Sequence, residues 1–434
     1  MRYSPPPPEL FIENRRRLIK GLKPGSLAVV QANDIYPTNA DGVMNFVQNS
    51  DLYYLSGVDQ EDTVLILFPG APDEKMREML FLKETSEHIS IWEGEKLTRH
   101  QASERSGIPV HSIHWLSEFD RLLRTVVFQG SRVYLNTNEH ARATTEVESR
   151  DLRFVRRCRE EFPLHRFDRL APLMHGLRVI KSKLEVELIR EAIRITNDGF
   201  HRVLRFVKPG VKEYEIEAEM IHEFIRQGAQ GFAFPPILAG GKNACVLHYV
   251  TNHHVCHDGD LVLLDFGARQ SNYNADLTRT IPVNGRFTKR QRSVYNAVLR
   301  VMRAATGLLK PGVILKEYQE QVGRIMEEEL LKLRLLKIGE VRKQDPDKPL
   351  YKKYFMHGTS HHLGLDVHDV GDTWRPVAPG MVFTVEPGIY IREEGLGVRL
   401  ENDVLITKNG AVDLMEKVPV EIEEIESLMA RGRA

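Results

Sequence analysis

Residues 258–267 read Asp258-Gly-Asp-Leu-Val-Leu-Leu-Asp265-Phe-Gly267, and residues 379–388 read Pro379-Gly-Met-Val-Phe-Thr-Val-Glu386-Pro-Gly388. Each is a glycine, a short apolar run of strand composition, an acid and a second glycine. Aligned, Gly259 falls on Gly380, Asp265 on Glu386 and Gly267 on Gly388. A second apolar run closes each unit. Ala275-Asp276-Leu-Thr-Arg-Thr-Ile281 follows a polar turn at 270–274, and Gly397-Val-Arg-Leu-Glu401-Asn-Asp-Val-Leu-Ile406 follows the other. A hairpin in the first unit brings Asp265 to Asp276, and the second unit offers Glu386 and Glu401 in the same way.

Upstream the echo continues. Val207-Lys-Pro-Gly-Val211 opens an amphipathic stretch through Phe224, and Leu309-Lys-Pro-Gly-Val313 opens another through Met326. The period of about 100 residues is too long for a solenoid repeat and implies two half-domains facing each other across a pseudo-twofold axis. Four carboxylates then converge on one centre. Acids side by side on apolar strands repel and are costly to desolvate, so such a set requires a shared proton or a cation. His248 precedes Asp265 and His368 precedes Glu386 at nearly equal spacing, so one histidine from each half is expected at the site. Between them Met356-His357-Gly-Thr-Ser-His361-His362-Leu-Gly364 adds three more beside small residues that permit close approach. His362, His111, His114 and His253 read as surface or satisfied core histidines.

A chain of 434 residues is long enough for two or three domains with a large core. Sixty basic and sixty acidic residues cancel, so neither nucleic acid nor a membrane surface is indicated as a partner. The three cysteines, Cys158, Cys245 and Cys256, are scattered, as expected for reduced thiols in a cytoplasmic protein. No apolar run approaches the ~20 residues of a spanning helix, and the first residues lack a signal core.

The first ~175 residues differ in character, with short apolar runs at 27–30, 64–68, 79–82 and 133–135 spaced as in an α/β domain. Arg15-Arg16-Arg17 reads as a solvated helix face, and Tyr53-Tyr54 as core or interface. Ala171-Pro172 suggests a boundary, giving domains 1–173 and 174–434. Lys181-Ser-Lys-Leu-Glu-Val-Glu-Leu-Ile-Arg190 then opens a helix, and 291–309 forms another.

Taken together, Leu247-His248-Tyr249, Asp265-Phe-Gly267, Asp276-Leu-Thr-Arg-Thr280, His357-Gly-Thr-Ser-His361, Asp366-Val-His368-Asp369-Val-Gly371, Val385-Glu-Pro-Gly388 and Arg399-Leu-Glu401 resemble the motifs of the aminopeptidase P family. Gln48-Asn-Ser-Asp51 and Tyr54-Leu-Ser-Gly57 are similar to that family's amino-terminal domain, which methionine aminopeptidases of the same catalytic fold lack. The resemblance implies an α/β protein: a creatinase-like N-terminal domain followed by a pita-bread metallopeptidase domain with a curved antiparallel sheet. It implies two divalent metal ions, Mn(II) foremost with Co(II), Zn(II) or Fe(II) as alternatives, on Asp265, Asp276, His361, Glu386 and Glu401. The implied reaction is attack of a hydroxide shared by the ions on the bond before a proline in second position. By the same resemblance His248 meets the carbonyl oxygen, Glu386 passes a proton to the proline nitrogen, and His357 and His368 position the substrate. Arg399 supports a ligand carboxylate. A homodimer or homotetramer is expected.

Three features depart from the family's better-known bacterial members. His362 stands where they carry tryptophan, Phe232-Ala-Phe-Pro-Pro-Ile237 replaces a stretch with Tyr and Asn, and the loop before Arg399 is short. The alternatives are prolidase, which takes the Xaa-Pro dipeptide at the same kind of site, and a non-enzymatic pita-bread binding module. A creatine-type amidinohydrolase is a further reading.

Overall fold

The computed structural model describes residues 3–144 and 146–433 and divides into two compact units, one of residues 5–178 and the other of residues 3–4 and 179–433. The division falls after Arg178 rather than at 173, because helix Ala171–Arg178 packs on helix Pro8–Gly21 of the first unit.

In the first unit the four apolar runs form strands Ser26–Gln31, Val64–Leu67, Glu78–Leu82 and Arg132–Leu135. Ile113–Trp115 and Arg166–Arg169 extend these to a mixed six-stranded sheet. Leu27, Val29, Val64, Ile66 and Phe81 point to one face, where Phe119, Leu122, Val126 and Phe154 of two helices cover them. The alternate residues Ala28, Val30, Leu65 and Leu67 are equally buried, so the sheet is covered on both sides.

The Gln48–Gly57 stretch has a local explanation. Asn49 caps helix Ser50–Ser56 by accepting from the amides of Asp51 and Leu52, and Gly57 ends it at φ 65°. A Cβ on Gly57 would sit 2.2 Å from the Phe11 ring, so glycine also permits the approach of helix Pro8–Gly21. Tyr53 and Tyr54 are core. The arginine triplet corrects the expectation of a solvated face, since only Arg16 fits it. Arg15 is buried, donating to Leu55 O at 2.8 Å, Ser106 O at 2.9 Å and Glu78 at 2.8 Å. Two helices present their negative C-terminal ends to one guanidinium, which offsets its desolvation. Arg17 reaches Tyr54 Oη and Leu177 O.

The duplication in the second unit extends to individual hydrogen bonds. Helix Lys183–Phe206 is followed by helix Glu213–Arg226, and helix Lys289–Leu308 by helix Leu315–Lys332. Between the members of each pair a Lys-Pro-Gly-Val turn places its glycine at φ 94° (Gly210) and 93° (Gly312). Gly210 donates to Cys256 O at 2.9 Å and Cys256 to Val211 O at 2.8 Å; Gly312 and Val377 repeat this with Val377 O and Val313 O at the same distances. Cys256 and Val377 each stand three residues before the aligned glycines Gly259 and Gly380, whose φ values are 84° and 93°. Every strand pair described in this unit is antiparallel.

Candidate active site

Strand Leu261–Phe266 pairs with Leu277–Pro282 so that Thr278 lies opposite Asp265, and strand Val382–Val385 pairs with Asn402–Thr407 so that Val385 lies opposite Asn402. Asp276 and Glu401 therefore stand at the entry of the returning strands, beside Asp265 and Glu386. A small hairpin is inserted in each unit. In the first, Ser271 and Asn272 turn the chain with φ of 51° and 63°, the two positive values of a type I′ turn. Gly267 is required there, because a Cβ would fall 1.7 Å from Ala275 O. The two halves then join edge to edge: Glu401 N donates to Thr278 O at 3.1 Å and Asp276 N to Asp403 Oδ2 at 3.1 Å.

The expected acids and His361 come together at this seam. Asp276, His361 and Glu401 place ligating atoms within 4.8 Å of one another. His361 Nε2 lies 3.5 Å from Asp276 Oδ2 and 3.6 Å from Glu386 Oε1. Its other nitrogen, Nδ1, is 3.0 Å from the carbonyl of His362, which can only accept, so Nδ1 donates there and Nε2 is the nitrogen that faces the carboxylates. Buried carboxylates gathered around that nitrogen need a shared proton or a cation. Asp265 Oδ1 and Asp276 Oδ1 are moreover buried without a donor among the described residues. Carboxylates with one oriented imidazole are a donor set for hard or borderline divalent ions.

The electrostatics agree. Burial, then repulsion from Asp265, holds the Asp276 carboxyl well above its ordinary range. Glu401 is raised by burial and then by Asp276 and Glu386. Glu386 is pushed up to about 7 by burial, with Asp276 and Asp265 adding to this and His361 and Arg399 opposing it. Bound cations reverse these penalties.

Around the acids run the remaining candidates. Arg399 donates through Nη2 to Asp265 Oδ2 at 2.5 Å and through Nη1 to Tyr390 Oη at 2.9 Å. Tyr390 Oη is 2.8 Å from His357 Nε2, and His357 Nδ1 is 2.8 Å from Gly358 O. The carbonyl again fixes the tautomer, so the tyrosine donates to His357. Burial, then Arg399 and more weakly His248, pushes His357 down to about 3, leaving it neutral. His357 Nδ1 also lies 3.6 Å from Glu386 Oε2. His368 stands edge-on to His361, ring centroids 4.5 Å apart. His248 is exposed, in the turn at Leu247-His248.

Two residues escaped the sequence reading and one was misjudged. Tyr390 gives no signal beyond an aromatic in an apolar strand; aligned glycine Gly388 leaves room for its hydroxyl, 2.6 Å from where a Cβ would be. Thr278, whose Oγ1 donates to Glu401 Oε2 at 2.6 Å, was legible only as part of a strand. His362 is neither a surface nor a satisfied core histidine. It is buried, and neither ring nitrogen has a hydrogen-bond partner among the described residues. The ring lies 4.3 Å from that of Phe383, and burial, then Lys181, pushes it down to about 3. It fills space as an uncharged aromatic ring, which accounts for an aromatic alternative at this position.

Comparison with known proteins follows the same division. Residues 187–408 match the model of metallopeptidase family M24, and residues 11–134 that of the aminopeptidase P N-terminal domain. The Xaa-Pro aminopeptidase of Escherichia coli K12 is 36% identical over 439 residues, covering 98% of either protein. Among solved structures, Pseudomonas aeruginosa aminopeptidase PepP superposes with a TM-score of 0.90 at 32% identity over all of both chains. A zinc-substituted Escherichia coli aminopeptidase P in complex with product gives 0.87 at 33%, over 99% of this chain and 100% of that one. With both units matched and the whole length covered, the chain belongs to the Xaa-Pro aminopeptidases of metallopeptidase family M24, its second unit having the pita-bread fold.

Proposed function

We propose that this metal-dependent aminopeptidase releases the first residue from peptides with proline in second position, using two Mn(II) ions held by Asp265, Asp276, His361, Glu386 and Glu401. The observation that carries the reading is His361 Nε2 facing buried carboxylates, two of them with oxygens that lack a donor among the described residues. When bound, the ions supply Lewis acidity and lower the pKa of water enough for attack at neutral pH.

The chain's own groups supply the rest. Glu386 takes a proton at a carboxylate oxygen and returns it to the departing proline nitrogen. His248 meets the charge that develops on the carbonyl oxygen of the first residue. His357, fixed as a neutral ring between Tyr390 and Gly358, and His368, edge-on to His361, orient the substrate. Arg399 holds Asp265 in place. Proline lacks the N–H by which most peptidase clefts grip an extended chain, so a dedicated site is needed. Product analysis of a Xaa-Pro-Yaa tripeptide tests the reading: free Xaa and Pro-Yaa are expected, and an uncleaved Xaa-Pro bond contradicts it.

The assembly proposed is a cytoplasmic homodimer or homotetramer. Val43, Met44, Ile91 and Trp92 stand exposed on the first unit, as residues of a subunit contact do in an isolated chain. None of the described helices is long and apolar enough to cross a membrane. Sedimentation at micromolar concentration decides between monomer and oligomer.

A further inference from the structure

We propose that Glu213 is a positioning residue for His248, acting through Tyr249. The inference rests on the reading of His248 as the group that meets the carbonyl oxygen. Glu213 opens helix Glu213–Arg226 and is fully buried, yet no cation pairs with it among the described contacts. Its carboxylate instead collects four donors, all from one excursion of chain. Oε1 accepts from Gly240 N at 2.8 Å and Asn243 Nδ2 at 3.4 Å; Oε2 accepts from Tyr249 Oη at 2.8 Å and His254 N at 2.9 Å. Glu213 N in turn donates to His254 O at 3.0 Å.

One turn along the same helix, Glu217 accepts from Asn252 Nδ2 at 3.1 Å. Asn252 is held at φ 43° and bridges to Pro236 O and Leu238 N. The segment 240–254 is thus fastened at its two ends and at Tyr249 by two carboxylates on one helix face. His248 stands in the turn between Asn243 and Tyr249, which reach the same carboxylate from either side. An exposed turn would otherwise leave its imidazole free to wander, and small displacements of a group that acts only in the transition state are expensive. A buried carboxylate that accepts four hydrogen bonds is a rigid anchor.

The test is a set of variants with Mn(II) bound, assayed on one Xaa-Pro-Yaa tripeptide. Tyr249→Phe removes one hydroxyl and keeps the ring; it is expected to lower kcat about tenfold with KM within about twofold. Glu213→Gln, which keeps one acceptor oxygen and turns an NH2 donor against either the Gly240 and Asn243 donors or those of Tyr249 and His254, is expected to lower kcat further. Neither is expected to change Mn(II) affinity. In a His248→Ala background both substitutions should have no further effect on kcat, because the group they position is gone. Unchanged kcat in the single variants, losses that multiply with that of His248→Ala, or a matching fall in Mn(II) affinity would overturn the positioning role. A His248→Ala enzyme with full kcat would instead remove the underlying reading of His248, and the proposal with it.

Discussion

Arg399 and Asp265 are 134 residues apart in sequence and come from opposite halves of the duplication, yet Arg399 Nη2 lies 2.5 Å from Asp265 Oδ2. The contact leaves Asp265 Oδ1 as the oxygen without a donor, so the arginine decides which oxygen is offered to an ion.

Replacing Arg399 with Met should therefore weaken Mn(II) binding about 10–100-fold, the usual effect of losing a group that orients a ligand. Calorimetric titration of metal-stripped protein measures it. Unchanged affinity would detach Arg399 from the metal site.

The raised carboxyls have a consequence for pH. Glu386 titrates near 7 in the folded, metal-free chain, against about 4.3 for an unperturbed glutamate. The folded state then holds more protons than the unfolded state between those values, so this group's contribution to stability falls as pH rises through the window. Metal-free protein should lose thermal stability relative to metal-loaded protein as pH rises from about 4.3 to about 7. Melting scans with and without Mn(II) follow the gap, which should widen with pH; a constant gap would contradict the assignment.

Lys181, just before helix Lys183–Phe206, and Asp369, next to His368, form a buried pair 2.8 Å apart. Lys181→Met leaves a buried carboxylate without its cation and should cost about 3–5 kcal/mol in urea unfolding. The double variant with Asp369→Leu should recover a large part of that loss.

His362→Phe is expected to act in the opposite direction. It keeps an aromatic ring against Phe383 and removes two buried polar nitrogens without partners, each a desolvation penalty of order 1–3 kcal/mol in the folded state. A higher urea midpoint with unchanged slope is the result to look for; a lower one would mean that the ring nitrogens have partners in solution.

The acids were legible in the sequence because the duplication repeats them in a fixed relation to glycine, and chance does not repeat such a pattern twice. The four apolar runs of the first unit were legible as strands for the ordinary reason of period and composition. What escaped was set by tertiary contact. Arg15 looks solvated in a run of three arginines, and only the meeting of two helix ends at Leu55 and Ser106 makes its burial tolerable. Tyr390 is an unremarkable strand aromatic until Arg399 and His357 converge on its hydroxyl. Strand Arg166–Arg169 is polar, and its place at the sheet edge comes from pairing with Arg132–Leu135 rather than from its own composition.

The most direct test of the central claim is hydrolysis of a matched Xaa-Pro-Yaa tripeptide and Xaa-Pro dipeptide by chelator-stripped protein, before and after addition of Mn(II). The account predicts no cleavage without metal and restored release of the first residue from the tripeptide in preference to the dipeptide. Preference for the dipeptide would make the enzyme a prolidase, and cleavage undiminished by complete removal of metal would contradict the site itself.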